Sequence, residues 1–173
     1  GGTTRDRAYN ICMTGRNSGA LDGQTYVGGA DIFIVKDDSA GTKQWTAQLG
    51  TTVDDIAFGI AADSSGNVYA TGRTSGDLDG NIRLGGKDMF VVKYNSSGTS
   101  MDPQLGGSSN DVAGGITTDS AGNIYATGGT EGSFDGGSSQ GNKDLCVVKY
   151  DSQGVRQWRR QFDSHGGETA CGI

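Results

Sequence analysis

The chain has 173 residues, a net charge of −6, 32 glycines, one proline and one histidine. With no block of Lys or Arg, that balance argues against nucleic acid or an anionic membrane surface as partner, and no apolar run approaches the ~18 residues a membrane-spanning helix needs. Glycine is more than twice its ordinary share, yet glycine plus proline stays below the level that marks low-complexity disorder, and the glycines recur at fixed places, as turn residues do.

The register of that recurrence is set by landmarks. Thr14-Gly15, Thr71-Gly72 and Thr127-Gly128 lie 57 and then 56 residues apart, and so do Asp22, Asp79 and Asp135, then Asp31, Asp88 and Asp144, then Lys36, Lys93 and Lys149. A single deletion explains the shorter spacing, because Met101-Asp-Pro-Gln-Leu-Gly106 stands against Gln44-Trp-Thr-Ala-Gln-Leu-Gly50. The chain is therefore one repeat region, 1–173, with units of approximately 10–66, 67–122 and 123–173. The final Glu168-Thr-Ala-Cys-Gly-Ile173 matches Asp55-Ile-Ala-Phe-Gly-Ile60, while Gly2-Thr-Thr-Arg-Asp6 is a worn copy of the end of the same segment.

Taken in order, that opening segment precedes a strand at Asn10–Gly15, which recurs at Asn67–Gly72 and Asn123–Gly128. A long loop carrying Ala20-Leu-Asp22-Gly23 follows, then a strand, Asp31–Lys36, that is apolar on both faces and so should be covered on both sides. A turn ending in Gly41 leads to a fourth strand with a large aromatic, Trp45. The next unit opens on Asp55–Asp63, a strand of small residues suited to a crowded place, and Ser64-Ser-Gly66 makes a tight hairpin connection with glycine at the left-handed position. The second copy has Asp102-Pro103 where Trp stands elsewhere, and a proline tolerated there predicts an edge strand. Four short antiparallel strands per unit, running from small residues to a Trp-bearing edge, predict an all-β fold: the four-stranded blade of a β-propeller, about three blades in this chain.

The segments VVKYNSSG, VVKYDSQG, GIAADSSGNVYATG and GGITTDSAGNIYATG closely resemble the bacterial β-propeller repeat family called SBBP, across essentially the whole chain. The resemblance implies four-stranded blades in a seven-bladed ring, occurrence in secreted and surface-associated proteins, and no enzymatic activity. Two departures are Asp37, where later copies have Tyr94 and Tyr150, and Asp102-Pro103; both predict locally weaker packing. Three blades are too few for an ordinary closed ring, so the chain is expected either to be part of a longer propeller or to complete a ring by homo-oligomerisation. The half-unit Gly166–Ile173 would then pair with a segment such as Asn10–Gly15, of its own chain or another.

Strand order places the long loops and the blade connections on one face. Asp22, Asp79 and Asp135, together with Asp55, Asp111 and Glu168, are expected there as a ligand-binding face. Within it, Asp77-Leu-Asp79-Gly80-Asn81 has the alternating oxygens of a calcium loop, making Asp77 and Asp79 the candidate metal ligands. Its equivalents keep only one carboxylate, and the competing reading has Leu21, Leu78 and Phe134 anchoring the loop while Asp-Gly makes a turn. Charge does not force a metal, since carboxylates ~10 Å apart repel by about 0.4 kcal/mol in water and about 1.7 at an effective dielectric of ~20.

The remaining reactive groups read as structural. Cys12, Cys146 and Cys171 replace aromatics within strands and are expected as buried hydrophobes, with no Cys-x-x-Cys spacing. Lys36, Lys93 and Lys149 are expected to lay their stems along the sheet and pair with carboxylates. His165 falls where other copies have Thr52 and Ser108, and the neighbours Asp54 and Asp55 point to opposite faces of a strand, so neither a triad nor a glycosidase pair is assembled. The expected function is a noncatalytic, extracellular or cell-surface binding or assembly scaffold. The alternative is a carbohydrate-binding, lectin-like propeller, with calcium as the cofactor and Tyr9, Tyr26, Tyr69 and Tyr125 as available aromatics.

Overall fold

The computed structural model describes residues 1–101, 104–105, 109–133, 143–162 and 172. Its secondary structure is strand, apart from one 3-10 turn at Leu78–Gly80. Three antiparallel sheets follow one another along the chain. Blade 1 contains β1 (Gly2–Arg5), β2 (Ile11–Asn17), β3 (Asp31–Asp37) and β4 (Lys43–Leu49). Blade 2 contains β5 (Asp55–Ala62), β6 (Val68–Thr74), β7 (Asp88–Tyr94) and a fourth position split into β8 (Ser100–Met101) and β9 (Gln104–Leu105). Blade 3 contains β10 (Asp111–Thr118), β11 (Ile124–Thr130), β12 (Asp144–Tyr150) and β13 (Arg156–Phe162). Strand order within each blade follows the chain, and both halves of the split strand pair with β7. This is a partial β-propeller of three blades.

The blades stack through alternating side chains. Along β7, Phe90, Val92 and Tyr94 join a core with Cys12, Ile32, Ile34 and Ala47 of blade 1, while Met89 and Val91 join one with Ile124, Ala126, Cys146 and Val148 of blade 3. The two-sided apolar character of the third strand thus comes from being sandwiched between neighbours. Cys12 and Cys146 are buried free thiols, as expected of small hydrophobes, whereas Cys171 lies outside the described residues. Trp45 is a principal outer contact of blade 1 on blade 2: its ring stacks on Tyr94 with centroids 5.9 Å apart, and its Nε1 donates to the Ser96 carbonyl at 3.1 Å. Tyr150, the counterpart of Tyr94, follows a blade with Asp102 at the aligned position, and its buried hydroxyl has no hydrogen-bond partner among the described residues.

Glycines of the second strands lie hard against the innermost strands. Each full inner strand has a bulge, between Ala57 and Gly59 in β5 and between Ala113 and Gly115 in β10. The bulge presses the Ile56 carbonyl to within 2.0 Å of where a Cβ on Gly72 would stand, and the Val112 carbonyl to within 2.1 Å of one on Gly128. A side chain of any size at the glycine of these Thr-Gly pairs would displace the inner strand. Gly72→Ala is expected to destabilise the protein by about 3 kcal/mol or more, as overpacking against rigid backbone does; a urea unfolding midpoint close to wild type would show that the inner strand is not held so close.

Candidate functional site: the loop and turn faces

The hairpin turns at one end of the blades share a carboxylate network. Asp63 accepts from the Ser65 and Asn67 amides at 2.8 and 3.0 Å through Oδ1, and from Asn67 Nδ2 and the Tyr69 hydroxyl at 2.7 and 2.8 Å through Oδ2. Asp119 repeats this with Ala121, Asn123 and Tyr125. Asp6 repeats it with Ala8 and Asn10, but Cys12 stands in place of the tyrosine, and the vacated position is taken by Lys36, whose Nζ lies 2.9 Å from Asp6 Oδ2. Where tyrosine is present the lysine goes elsewhere. Lys93 sits over the Tyr69 ring and donates to the Ser152 carbonyl of blade 3 at 2.8 Å. The expected lysine–carboxylate pair is therefore found for Lys36, whereas Lys93 bonds a carbonyl because the tyrosine hydroxyl already occupies its nearest carboxylate.

A cleft of about 480 Å³ lies at this end, with Arg5, Arg7, Tyr9, Ser64, Thr118 and Ser120 among its lining. Its carboxylates, Asp6, Asp63 and Asp119, are committed to their turns. Burial pushes the Asp63 carboxyl up, but hydrogen bonds from Asn67, Tyr69 and the turn amides outweigh it and hold the group below the usual range. Asp6 follows the same balance with Lys36 and Asn10 as its partners.

The opposite end carries the long loops, and the expected site residues divide there by burial. Asp55 and Asp111 are fully buried, as are Asp31, Asp88 and Asp144 at the starts of the third strands. Asp55 accepts from the Thr51 amide and hydroxyl at 2.5 and 2.8 Å and from the Thr74 hydroxyl. Asp31 accepts from the Val27 amide at 3.0 Å and from Gln48 Nε2 at 2.9 Å, and Asp88 accepts from the Leu84 and Gly85 amides at 2.8 and 3.2 Å. These side chains hold the loops down from inside. Burial pushes the Asp55 carboxyl above its ordinary range despite the Thr74 and Thr51 hydrogen bonds.

Asp22, Asp77 and Asp79 remain exposed. Asp22 accepts from the Thr46 hydroxyl at 2.6 Å and pairs with Lys43 at 2.9 Å; both partners lower its pKa. Asp135 and Glu168 lie outside the described residues. Asp79, at φ 50°, and Gly80, at φ 79°, form a left-handed turn beneath which Leu78 is buried, and Asp77 Oδ1 accepts from the Arg83 amide at 2.9 Å. Asp22 and Gly23 adopt the same pair of conformations, at φ 51° and 77°. The Asp-Gly pair is a loop turn with an apolar anchor. Among the described residues no three His, Cys, Asp or Glu gather into a metal site.

Sequence reasoning missed what this end shows to solvent. Val27, Val53, Ile82 and Leu84 are exposed by 47, 42, 79 and 64%. Val27, Val53, Thr51, Thr52, Asp77 and Arg83 help to line a cleft of about 490 Å³ between blades 1 and 2. The available signal was an apolar residue before Gly-Gly in two copies, Val27 and Leu84, within loops that are otherwise mostly polar. Gln48 and Gln161 were missed as well; each bridges a loop carbonyl, Gly19 or Gly132, to a buried carboxylate, Asp31 or Asp144.

The turn carboxylates predict the acid limit of the fold. A folded pKa held below the unfolded value contributes stability above about pH 4 that is lost as pH falls through the folded pKa. Asp63→Asn is expected to cost about 1–2 kcal/mol at neutral pH, where Tyr69 and Asn67 Nδ2 lose a charged acceptor, and to cost less near pH 3, below the unfolded value. Urea unfolding of both proteins at the two pH values measures this, and an equal loss at each would contradict it. Asp55 has the opposite sign: its raised pKa makes its contribution largest in acid and smaller as pH rises through the folded value. Calcium titrated by calorimetry to millimolar concentration is expected to give no heat that Asp77→Asn removes.

A family model described as a beta-propeller repeat, SBBP, matches residues 44–79 and 104–135. The chain is also 31% identical over 78 residues to the regulatory protein FlaEY of Caulobacter vibrioides, a match covering 43% of this chain and 8% of that protein.

Proposed function

We propose that this chain, built of SBBP-type β-propeller repeats, is a noncatalytic module that acts outside the cell as a binding scaffold and meets a protein partner with its long-loop end. The observation that carries this reading is the division of labour at that end. The carboxylates of Asp31, Asp55 and Asp88 are buried and spent on loop amides, while exposed side chains there include the apolar Ile82 and Leu84, and Val27 and Val53 line a cleft. Apolar side chains grouped on rigidly anchored loops suit recognition of another surface.

The reactive groups support a noncatalytic role. Burial raises the Cys12 thiol to about 11 and the Cys146 thiol to about 12, well away from a reactive thiolate. The turn-end carboxylates are held as acceptors by several donors each, which leaves them poor proton shuttles. An extracellular setting follows the resemblance to repeats of secreted and surface-associated proteins.

Affinity capture with the wild-type chain and with a Val27→Asp, Leu84→Asp double variant tests the reading, both side chains being exposed so that the variant should unfold near the wild-type midpoint. A partner retained by the wild type and lost by the variant is expected. A partner retained equally by both would contradict the loop-end assignment, and repeated sugar binding on a glycan array would favour the lectin instead.

A further inference from the structure

The first hairpin turn of blade 1 departs from its counterparts at three places. Aligned on the turn carboxylates Asp6, Asp63 and Asp119, Arg5 stands where the other blades have Ala62 and Thr118, Arg7 where they have Ser64 and Ser120, and Tyr9 where they have Gly66 and Gly122. The turn itself is unchanged. Asp6 accepts from the Ala8 and Asn10 amides at 2.9 and 3.0 Å, as Asp63 does from the Ser65 and Asn67 amides at 2.8 and 3.0 Å. The same turn forms in blades 2 and 3 without two arginines and a tyrosine.

Tyr9 is the costliest of the three. Its φ is 63°, the left-handed conformation that Gly66 and Gly122 adopt at 79° and 81°, and a bulky side chain held there is strained. Core packing does not offset that strain, because Tyr9 is 62% exposed, with the Arg5 guanidinium 5.1 Å from its ring centroid. A strained backbone that presents an aromatic ring to solvent directs attention to what the ring meets there.

Tyr9 lines the cleft of about 480 Å³ at the turn end, and three blades wall that cleft. Arg5 and Arg7 join Tyr9 from blade 1, Ser64 comes from blade 2, and Thr118 and Ser120 come from blade 3. Asp6, Asp63 and Asp119 are held by their own turns, and Lys36 is spent on Asp6 and the Gly66 carbonyl, at 2.9 and 3.0 Å. Arg5 and Arg7 are exposed, and neither pairs with a carboxylate among the described residues. A guanidinium offers a planar fork that suits an oxyanion. Three carboxylates facing three cations favour a singly charged carboxylate over a phosphate ester, which carries close to two charges at neutral pH. Serine hydroxyls both donate and accept, as sugar hydroxyls require, and a tyrosine ring supplies an apolar face.

We propose that this cleft binds a sugar acid, with Arg7 and Arg5 on its carboxylate, Ser64 and Ser120 on its hydroxyls and Tyr9 against the apolar face of its ring. Blade 1 alone among the three carries the two arginines and the tyrosine, so the chain has one such site. The site lies at the end opposite the long loops. It is therefore independent of the partner surface proposed for them, and a single site here is distinct from sugar bound repeatedly in the loops.

Calorimetry with glucuronate tests this, with glucose as the neutral control and inorganic phosphate as competitor. One site per chain is expected for glucuronate, and no heat for glucose over the same concentrations. Arg7→Gln should weaken binding about tenfold or more by removing a charge-assisted contact. Tyr9→Gly should also weaken binding while unfolding at a urea concentration no lower than the wild type's, since glycine suits the left-handed position; a merely structural tyrosine would lose stability instead. The Val27→Asp, Leu84→Asp variant should bind glucuronate as the wild type does. Absence of binding at millimolar glucuronate would overturn the proposal, as would equal binding of glucose, full displacement by equimolar phosphate, indifference to Arg7→Gln, or loss of binding in the loop-end variant.

Discussion

Within blades 2 and 3, the inner strand presses a carbonyl oxygen against a residue that has no side chain. The bulge in β5 turns the Ile56 carbonyl toward Gly72, and the bulge in β10 does the same with Val112 and Gly128. Packed this closely, the inner strands lie against the blade before them, β5 on β1 and β2, and β10 on β5 and β6. The third strand of blade 2 is then sandwiched on both sides, and Trp45 of the outer strand of blade 1 reaches Tyr94 of blade 2. Loops and turns are hung on that frame by carboxylates, with buried Asp31, Asp55 and Asp88 at one end and Asp6, Asp63 and Asp119 at the other.

Much of this frame is legible in the sequence because the repeat displays each local rule three times. The hairpin glycines and the Asp-Gly loop turn depend on the conformation of one or two residues, so composition and spacing were enough to find them, and Asp22 and Asp79 do adopt the left-handed backbone. What could not be read depends on residues distant in the chain. Asp31 resembles an exposed strand-start carboxylate until Gln48, 17 residues later, closes over it. The fate of each lysine was hidden for the same reason, since the identity of a residue on the neighbouring strand, Cys12 or Tyr69, decides whether a carboxylate is free to pair with it.

The same dependence divides the acidic residues of the loop end by burial. Acidic residues recur at the loop end, and those that begin the first and third strands are buried, while Asp22 and Asp79 recur as regularly and stay exposed. Side chains that differ between copies, such as Ile82 and Arg83 in one loop against Thr25 and Tyr26 in another, face outward as well.

The close approach of an inner-strand carbonyl to Gly72 and Gly128 makes the end of the second strand the most informative place to measure. The Ser75 and Glu131 amides donate to the Asp54 and Asn110 carbonyls at 3.0 and 2.9 Å where the inner strand begins. Residue-resolved hydrogen exchange by NMR should find both amides protected in the wild type, with Ser75 exchanging far faster in Gly72→Ala as the inner strand is displaced and Glu131 less affected. Free exchange of both amides in the wild type, or equal protection of Ser75 in the two proteins, would contradict an inner strand held against the second by that glycine.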